Sequence, residues 1–443
     1  MGKPQGVVIL DFGSQYAQLI ARRVRDCGVY STILPCSAEA EAIRALKPKG
    51  IILSGGPTET PEEGAPLCGE WVFKMGIPVL GIGYGMQDLA RGLHGVQFHP
   101  EVPHTQEGAA LLDHFLKSTC GLAGDWNMTA FMESAVRQIA EQVGDGERVL
   151  LGLSGGVDSA VVAALIYRAI GDRLTCVFVD HGFMRKGEGD QVVEVFTKTF
   201  PVKLVHVDAS ERFFADLRGI VDPEAKRKII GRDFVEVFKE EARKLGKLDH
   251  FAQGTIYPDV IESGMVKGSA LVKSHHNVGG LPAELGFTSL VEPLSMLFKD
   301  EVRKLGLALG LPDSLVTRQP FPGPGLAIRC LGELTRDKVA IVRATDAILR
   351  EEIASAGLER QISQYFTVLT GARSVGVTED ERTYAYAVAI RAVLTDDFMT
   401  ADVAQLPYEL LGRLAARMAG EVPGVNRVLY DVTAKPPASI EWE

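Results

Sequence analysis

The stretch RVLLGLSGGVDSAVVAALIYRAI, residues 148–170, decides how this chain is read. It opens with an apolar run, Val149–Leu153, breaks at Ser-Gly-Gly-Val-Asp-Ser, and resumes as an apolar segment of helical length. Strand, glycine loop and helix in that order make an anion cradle. The glycines let backbone N–H groups turn toward a phosphate, the helix start adds its positive end, and the hydroxyls of Ser154 and Ser159 can donate. There is no G-x-x-x-x-G-K-[ST], so this is not the usual ATPase loop. The bland alternative is a glycine turn with a Ser/Asp cap. The intact hexapeptide in this context favours nucleotide binding by Ser154, Gly155, Gly156, Val157, Asp158 and Ser159. Asp158 is the candidate metal residue, because Mg²⁺ takes one or two carboxylates plus phosphate oxygens.

Working outward, LTCVFVDHG (174–182) reads as the next strand. Toward the N-terminus, VVIL (7–10) leads into DFGSQ, and YAQLIARRVRDCG (16–28) has helical spacing with Gly28 as its stop. GIILSGGP (50–57) and GIPVLGI (76–82) are further strands. Such alternation predicts parallel sheets with helices on both faces. Residues 123–146 read as mainly helical. Beyond about 318 the order becomes a Pro/Gly loop, a helix over 335–356, strands near 364–369, 373–377 and 383–393, a helix over 405–420 and a strand at 426–433. This is a split βαβ pattern of α+β class. The expected layout is therefore two α/β domains with mainly parallel sheets, 1–122 and 123–318, and a C-terminal α+β domain, 319–443.

The totals exclude several classes. The chain has 443 residues, 46% of them hydrophobic, with no apolar run near the ~20 residues of a membrane span. The N-terminus carries neither a signal-peptide pattern nor a myristoylation motif. The net charge of −10 argues against nucleic acid as a partner. Six scattered cysteines without a C-x-x-C pair predict reduced thiols in a cytoplasmic protein and no zinc site. In so acidic a chain, anionic ligands need local cations. AKRKIIGR (225–232) supplies Lys226, Arg227, Lys228 and Arg232, read as a lid over phosphates or as a solvated helix face. The adjacent His275 and His276 lack an evident third ligand, so a loop near the nucleotide is preferred to a metal site. Asp259 and Glu262 are read either as residues near the adenine or lid, or as structural turn residues.

S-G-G-x-D-S resembles the pyrophosphate loop of the N-type ATP pyrophosphatases. DFGSQY (11–16), LSGGP (53–57), GVQFHPEV (95–102), DPEAKRKIIGR (222–232), QGTIYPDVIES (253–263), KSHHNVGGLP (273–282), FPGPGLAIR (321–329) and KPPASIEWE (435–443) follow in order. Together they resemble the glutamine-dependent GMP synthetase family over nearly the whole chain. The resemblance implies adenylylation of the xanthosine monophosphate (XMP) C2 oxygen by ATP with Mg²⁺, then displacement of AMP by ammonia from glutamine. It also implies XMP contacts at Gln364, Lys435 and Glu441, a substrate contact at Lys273, and a homodimer through the third domain. NAD synthetase and tRNA-thiolating enzymes share the loop but would lack FPGPGL and KPPASIEWE. A purine-nucleotide-binding protein without chemistry is the alternative from another class.

One motif departs from the family. GIGYGMQ (81–87) has the strand-turn-helix setting of a nucleophile elbow, yet its centre is Gly83. The family implies a Cys–His–Glu triad there, with His99 and Glu101 as the other members and the Gly55–Gly56 turn as oxyanion donors. Glycine cannot form a thioester. Only 15 residues separate Gly83 from His99, where the family has a long stretch. Three accounts stand open: natural degeneration, an engineered Cys→Gly exchange, or residues missing from this sequence near 93–95. The expected enzyme works with free ammonia.

Overall fold

A computed structural model describes residues 4–14, 16–56, 66–83, 94–102, 104–265, 286–378, 381–395, 398 and 400–443. Lys273, His275 and His276 lie outside them, as does the side chain of Glu262. The chain divides into two compact units, each described by itself.

The first unit spans Met1–Ser134 with Ile256–Ser269 and Met296–Glu301. Its sheet has the order β2-β1-β3-β4-β5, from β1 (Gly6–Asp11), β2 (Tyr30–Pro35), β3 (Gly50–Leu53), β4 (Val79–Ile82) and β5 (His94–Val96). Every pairing is parallel. Val7 and Ile9 enter one apolar cluster and Val8 and Leu10 the other, so both faces of β1 are covered. That is why the strand reads as a continuous apolar run. In the same unit the buried Arg25 pairs with Glu301 at 3.0 Å and lies over the rings of Tyr30 and Trp126. It anchors the helix Ala17–Asp26 to the 296–301 segment. The expected helix over 123–146 is Met128–Val143, because 121–127 is irregular.

The second unit spans Ala135–Thr255, Ala270–Ser295 and Val302–Glu443. Its parallel sheet has the order β10-β9-β6-β7-β8: β6 (Val149–Leu153), β7 (Leu174–Asp180), β8 (Lys203–Asp208), β9 (His250–Ala252) and β10 (Ser289–Val291). A second sheet pairs β11 (Gln364–Thr378) antiparallel with β12 (Glu381–Leu394). Against β12 lie β13 (Asp402–Val403), antiparallel, and β14 (Val425–Asp431), parallel. The strands expected at 364–369 and 373–377 are one strand whose register shifts between Leu369 and Arg373. That irregularity is what the sequence shows as a break. One apolar core joins Leu150, Val177 and Val179 of the parallel sheet to Ile341, Leu349, Val388 and Leu410. Packing therefore runs without interruption across residue 318. Among the described residues no helix is long and apolar enough to cross a membrane.

Candidate active site

The phosphate loop stands at the carboxyl end of β6, where open parallel sheets place ligands. The helix Val157–Ile170 starts at the loop with Gly156 as its N-cap. Gly155 has φ +77°, a left-handed conformation that favours glycine, and its carbonyl accepts from Arg318 Nη1 at 2.8 Å. The two expected phosphate donors are engaged within the loop. Ser159 Oγ accepts from Ser154 N–H at 3.2 Å and donates to the Gly156 carbonyl at 3.1 Å, and Ser154 Oγ accepts from Gly156 N–H at 3.3 Å. The hydroxyls thus brace the loop, while Ser154 and Gly156 face solvent. Asp158 is half-buried beside Gly254. No group of three or more His, Cys, Asp or Glu side chains able to hold a metal occurs among the described residues. One carboxylate suits Mg²⁺ carried in with phosphate oxygens, not a protein-built metal cage.

In the same unit, Gln364 and Glu441 meet. Gln364 Nε2 donates to Glu441 Oε1 at 3.1 Å, and the wholly buried Arg329 grips both Glu441 oxygens, at 2.9 and 3.2 Å. Lys435 stands elsewhere, its ammonium donating to the Phe398 carbonyl at 2.7 Å. The C-terminal tail is tied down rather than frayed. Arg391, fully buried, donates to the carbonyls of Thr433 and Ser439, and Trp442 Nε1 donates to Asp431 at 2.9 Å.

The segment read as a lid or a solvated helix face is helical: AKRKIIGR lies inside the regular helix Pro223–Lys244, capped by Asp222. Lys226 is 0% exposed, donating to the Cys330 carbonyl at 2.8 Å and pairing with Glu443 at 2.5 Å. Arg227 donates to the Glu443 carbonyl, and Arg232 pairs with Asp233 and Asp216. Lys228 and Arg232 are both exposed, as a solvated helix face predicts, whereas Lys226 and Arg227 are tied to the tail. Asp259 accepts from Ile256 N–H at 3.0 Å, a helix-start turn.

Three residues missed in the sequence complete this region. Arg329 ends the apolar run of FPGPGLAIR, and a charge closing such a run was the available signal. Asp346 falls on the apolar stripe of helix Arg336–Ser355, four residues after Val342 and three before Leu349. Arg185 pairs with both Asp346 and Glu188. No local pattern marks it.

In the first unit, the strand ends gather the other predicted set. Gly83 follows β4, has φ +56°, and donates its N–H to the Val96 carbonyl at 2.9 Å. His99 Nδ1 lies 2.7 Å from Glu101 Oε1, and Glu101 is fully buried. A carboxylate partner assigns the proton to Nδ1 and leaves Nε2 as the base. A Cβ on Gly83 would lie 3.6 Å from that Nε2 and 3.9 Å from the Gly55 Cα. Base, orienting carboxylate and glycine turn therefore surround one point, and the side chain at that point is missing. Gly56 continues the turn, and residues 84–87 of the quoted stretch lie outside the described residues. Burial pushes the Cys120 thiol up to about 11 and the Cys330 thiol up to about 12, which disfavours the thiolate at both.

Comparison with known proteins finds three family models along the chain. Residues 8–93 match the family Glutamine amidotransferase class-I, 128–220 match NAD synthase, and 351–442 match GMP synthase C terminal domain. Relatives named GMP synthase [glutamine-hydrolyzing] include those of Acetivibrio thermocellus and Geobacillus kaustophilus, each 49% identical over 508 aligned positions with 99% of both chains covered. That of Treponema denticola is 48% identical, covering 99% of this chain and 97% of its own. An alignment of 508 positions against 443 residues leaves at least 65 positions (508 less 443) without a counterpart here. At this identity and coverage, the chain belongs to the glutamine-hydrolysing GMP synthase family.

Proposed function

We propose that this protein is an ATP-dependent ligase that aminates XMP to GMP. The XMP C2 oxygen attacks the α-phosphorus of ATP, the α–β P–O bond breaks, and pyrophosphate leaves. Ammonia then attacks C2, the C2–O bond breaks, AMP departs, and the nitrogen loses its extra proton to a base. The purine oxygen is a poor leaving group until it is adenylylated, so catalysis rests on positioning and on holding phosphate charge. The intact S-G-G-V-D-S loop carries this reading, standing in one unit with the Arg329–Glu441–Gln364 group. Glu441 is suited to accept from purine N–H groups. Mg²⁺ held by Asp158 and the phosphates would neutralise charge on the leaving pyrophosphate.

Glutamine is the ammonia source that the family name implies. We infer that this chain cannot use it, because Gly83 offers His99 no thiol to activate. Ammonia then enters from solution. The homodimer reading draws support from Val375, Val377 and Tyr384, exposed together on the β11–β12 hairpin. None of the six cysteines stands in a disulfide, which fits a reducing compartment such as the cytoplasm. The deciding experiment is GMP formation from XMP, ATP and Mg²⁺, once with ammonium and once with glutamine. GMP with ammonium alone is expected. GMP with glutamine would refute the account of Gly83, and no GMP in either arm would leave a binding protein without chemistry.

A further inference from the structure

A row of buried charges crosses the second unit from the phosphate loop to the C-terminal tail. Arg318 donates to the Gly155 carbonyl at 2.8 Å, and its Nε stands 3.4 Å from Glu188 Oε1. The same Glu188 oxygen lies 3.4 Å from Arg185, and Arg185 Nε lies 3.3 Å from Asp346. Asp346 is 3.8 Å from Arg329, which grips Glu441. The signs alternate without a break: Arg318, Glu188, Arg185, Asp346, Arg329, Glu441. The first five side chains are at most 5% exposed.

Two physical facts make this more than a structural brace. Well-packed apolar residues in place of a buried ion network are often neutral or stabilising, so stability alone does not account for six charges. The links are also uneven. The ends are tight hydrogen bonds, whereas the middle contacts run from 3.3 to 3.8 Å, beyond normal hydrogen-bond length. Glu188 Oε2, Arg185 Nε, Arg329 Nη1 and both Asp346 oxygens are buried without a hydrogen bond. The four inner members, Glu188, Arg185, Asp346 and Arg329, are each held between opposite charges, Glu188 also facing Arg350 at 3.9 Å, and each can tighten on one only by loosening from another.

We propose that this row is a positioning relay that couples nucleotide at the phosphate loop to purine at Glu441, an inference that rests on the substrate reading above. A purine that takes the Glu441 oxygens releases Arg329 onto Asp346. Asp346 then loosens from Arg185, Arg185 closes on Glu188, and Arg318 is left to hold the Gly155 carbonyl. The loop is fixed in its left-handed turn before ATP arrives, so the coupling has a positive sign. By reciprocity, ATP tightens XMP by the same factor. Arg185, Glu188 and Asp346 touch neither ligand and act through their neighbours.

The test is a linkage measurement on the full chain, with calorimetric XMP binding in the presence and absence of Mg²⁺ and α,β-methylene-ATP. The unaltered protein should bind XMP at least ~5-fold tighter with the analogue present, the low end of usual couplings. In Asp346→Asn, which keeps the side-chain shape, that factor should fall toward one. Each ligand's own dissociation constant should stay within about threefold, a split that general destabilisation would not give. Glu188→Gln reads the same link if Asp346→Asn does not fold by circular dichroism, and the exposed Arg360→Ala should retain full coupling. Coupling unchanged in either relay variant overturns the proposal, as does an unaltered protein that binds both ligands independently. An unaltered protein that binds no XMP overturns the substrate reading instead, and the relay with it.

Discussion

Gly83 and Gly155 occupy equivalent places in two sheets: each follows a parallel strand, each has a positive φ, and each belongs to a set of strand-end groups. Their meanings are opposite. At Gly155 the proposed role lies in the backbone, because a loop that would present N–H groups to phosphate needs a left-handed residue. At Gly83 the surroundings are arranged for a side chain that glycine lacks, with His99 Nε2 3.6 Å from where a Cβ would stand. An identical residue in an identical setting is thus complete in one site and a vacancy in the other. Only the neighbours tell them apart.

The comparison breaks most sharply at the tail. Deleting residues 441–443 should abolish XMP amination, by ~10³-fold or more, because it removes Glu441 and the Glu443 partner of Lys226 together. Binding of the ATP analogue should survive, and calorimetry of both ligands checks it. Retained amination would dissociate the tail from the phosphate-loop site.

The two regions also differ in their histidines. His99 is partly exposed beside a carboxylate, whereas His181 is buried near Gly325, its Nδ1 accepting from Phe183 N–H. Burial pushes His181 down to about 4, with Arg343 adding to the fall and Asp180 opposing it. The unfolded chain takes up this proton near pH 6.5, the folded one only near 4. Stability is therefore fully present above 6.5 and declines as pH falls to about 4, by about 3 kcal/mol. Urea midpoints across that range should show the slope, and His181→Gln should flatten it.

Alanine at each glycine separates backbone from side-chain roles. Gly155→Ala forces a Cβ into a left-handed turn, 2.8 Å from Met184 Cε. A displaced loop should cost roughly 10²-fold in ammonium-driven GMP formation. Gly83→Ala should leave that rate unchanged, since its Cβ meets only ordinary contacts. Equal losses would erase the distinction. The smallest effect is the most diagnostic: Gly83→Cys should cost only ~1–2 kcal/mol of stability for its positive φ. It should also gain a thiol alkylated by iodoacetamide about tenfold faster than Cys27 or Cys36, through His99. We expect no glutamine-dependent GMP from it, because at least 65 aligned positions of the relatives have no counterpart here (508 less 443).

Local pattern sufficed wherever a few consecutive residues set the geometry. The phosphate loop, the His99–Glu101 pair and the alternation of strand and helix were legible because strand period, glycine turns and helix starts are short-range properties. The break between Leu369 and Arg373 misled for the same reason: a register shift inside one strand looks locally like a loop. What the tertiary structure alone decided was the company of the long, charged side chains. Lys226 reads as a lid cation in AKRKIIGR, yet burial against Cys330 and Glu443 makes it an anchor of the tail. Arg185, Arg318 and Asp346 carry no motif, and FPGPGLAIR does not say what its Arg329 faces, because a buried charge is stabilised by partners far along the chain, Arg318 meeting Gly155 and Arg329 meeting Glu441. Sequence determines what a residue can do over a turn or two of backbone. Which charge it faces, and so whether it binds, braces or couples, is settled only when distant segments pack.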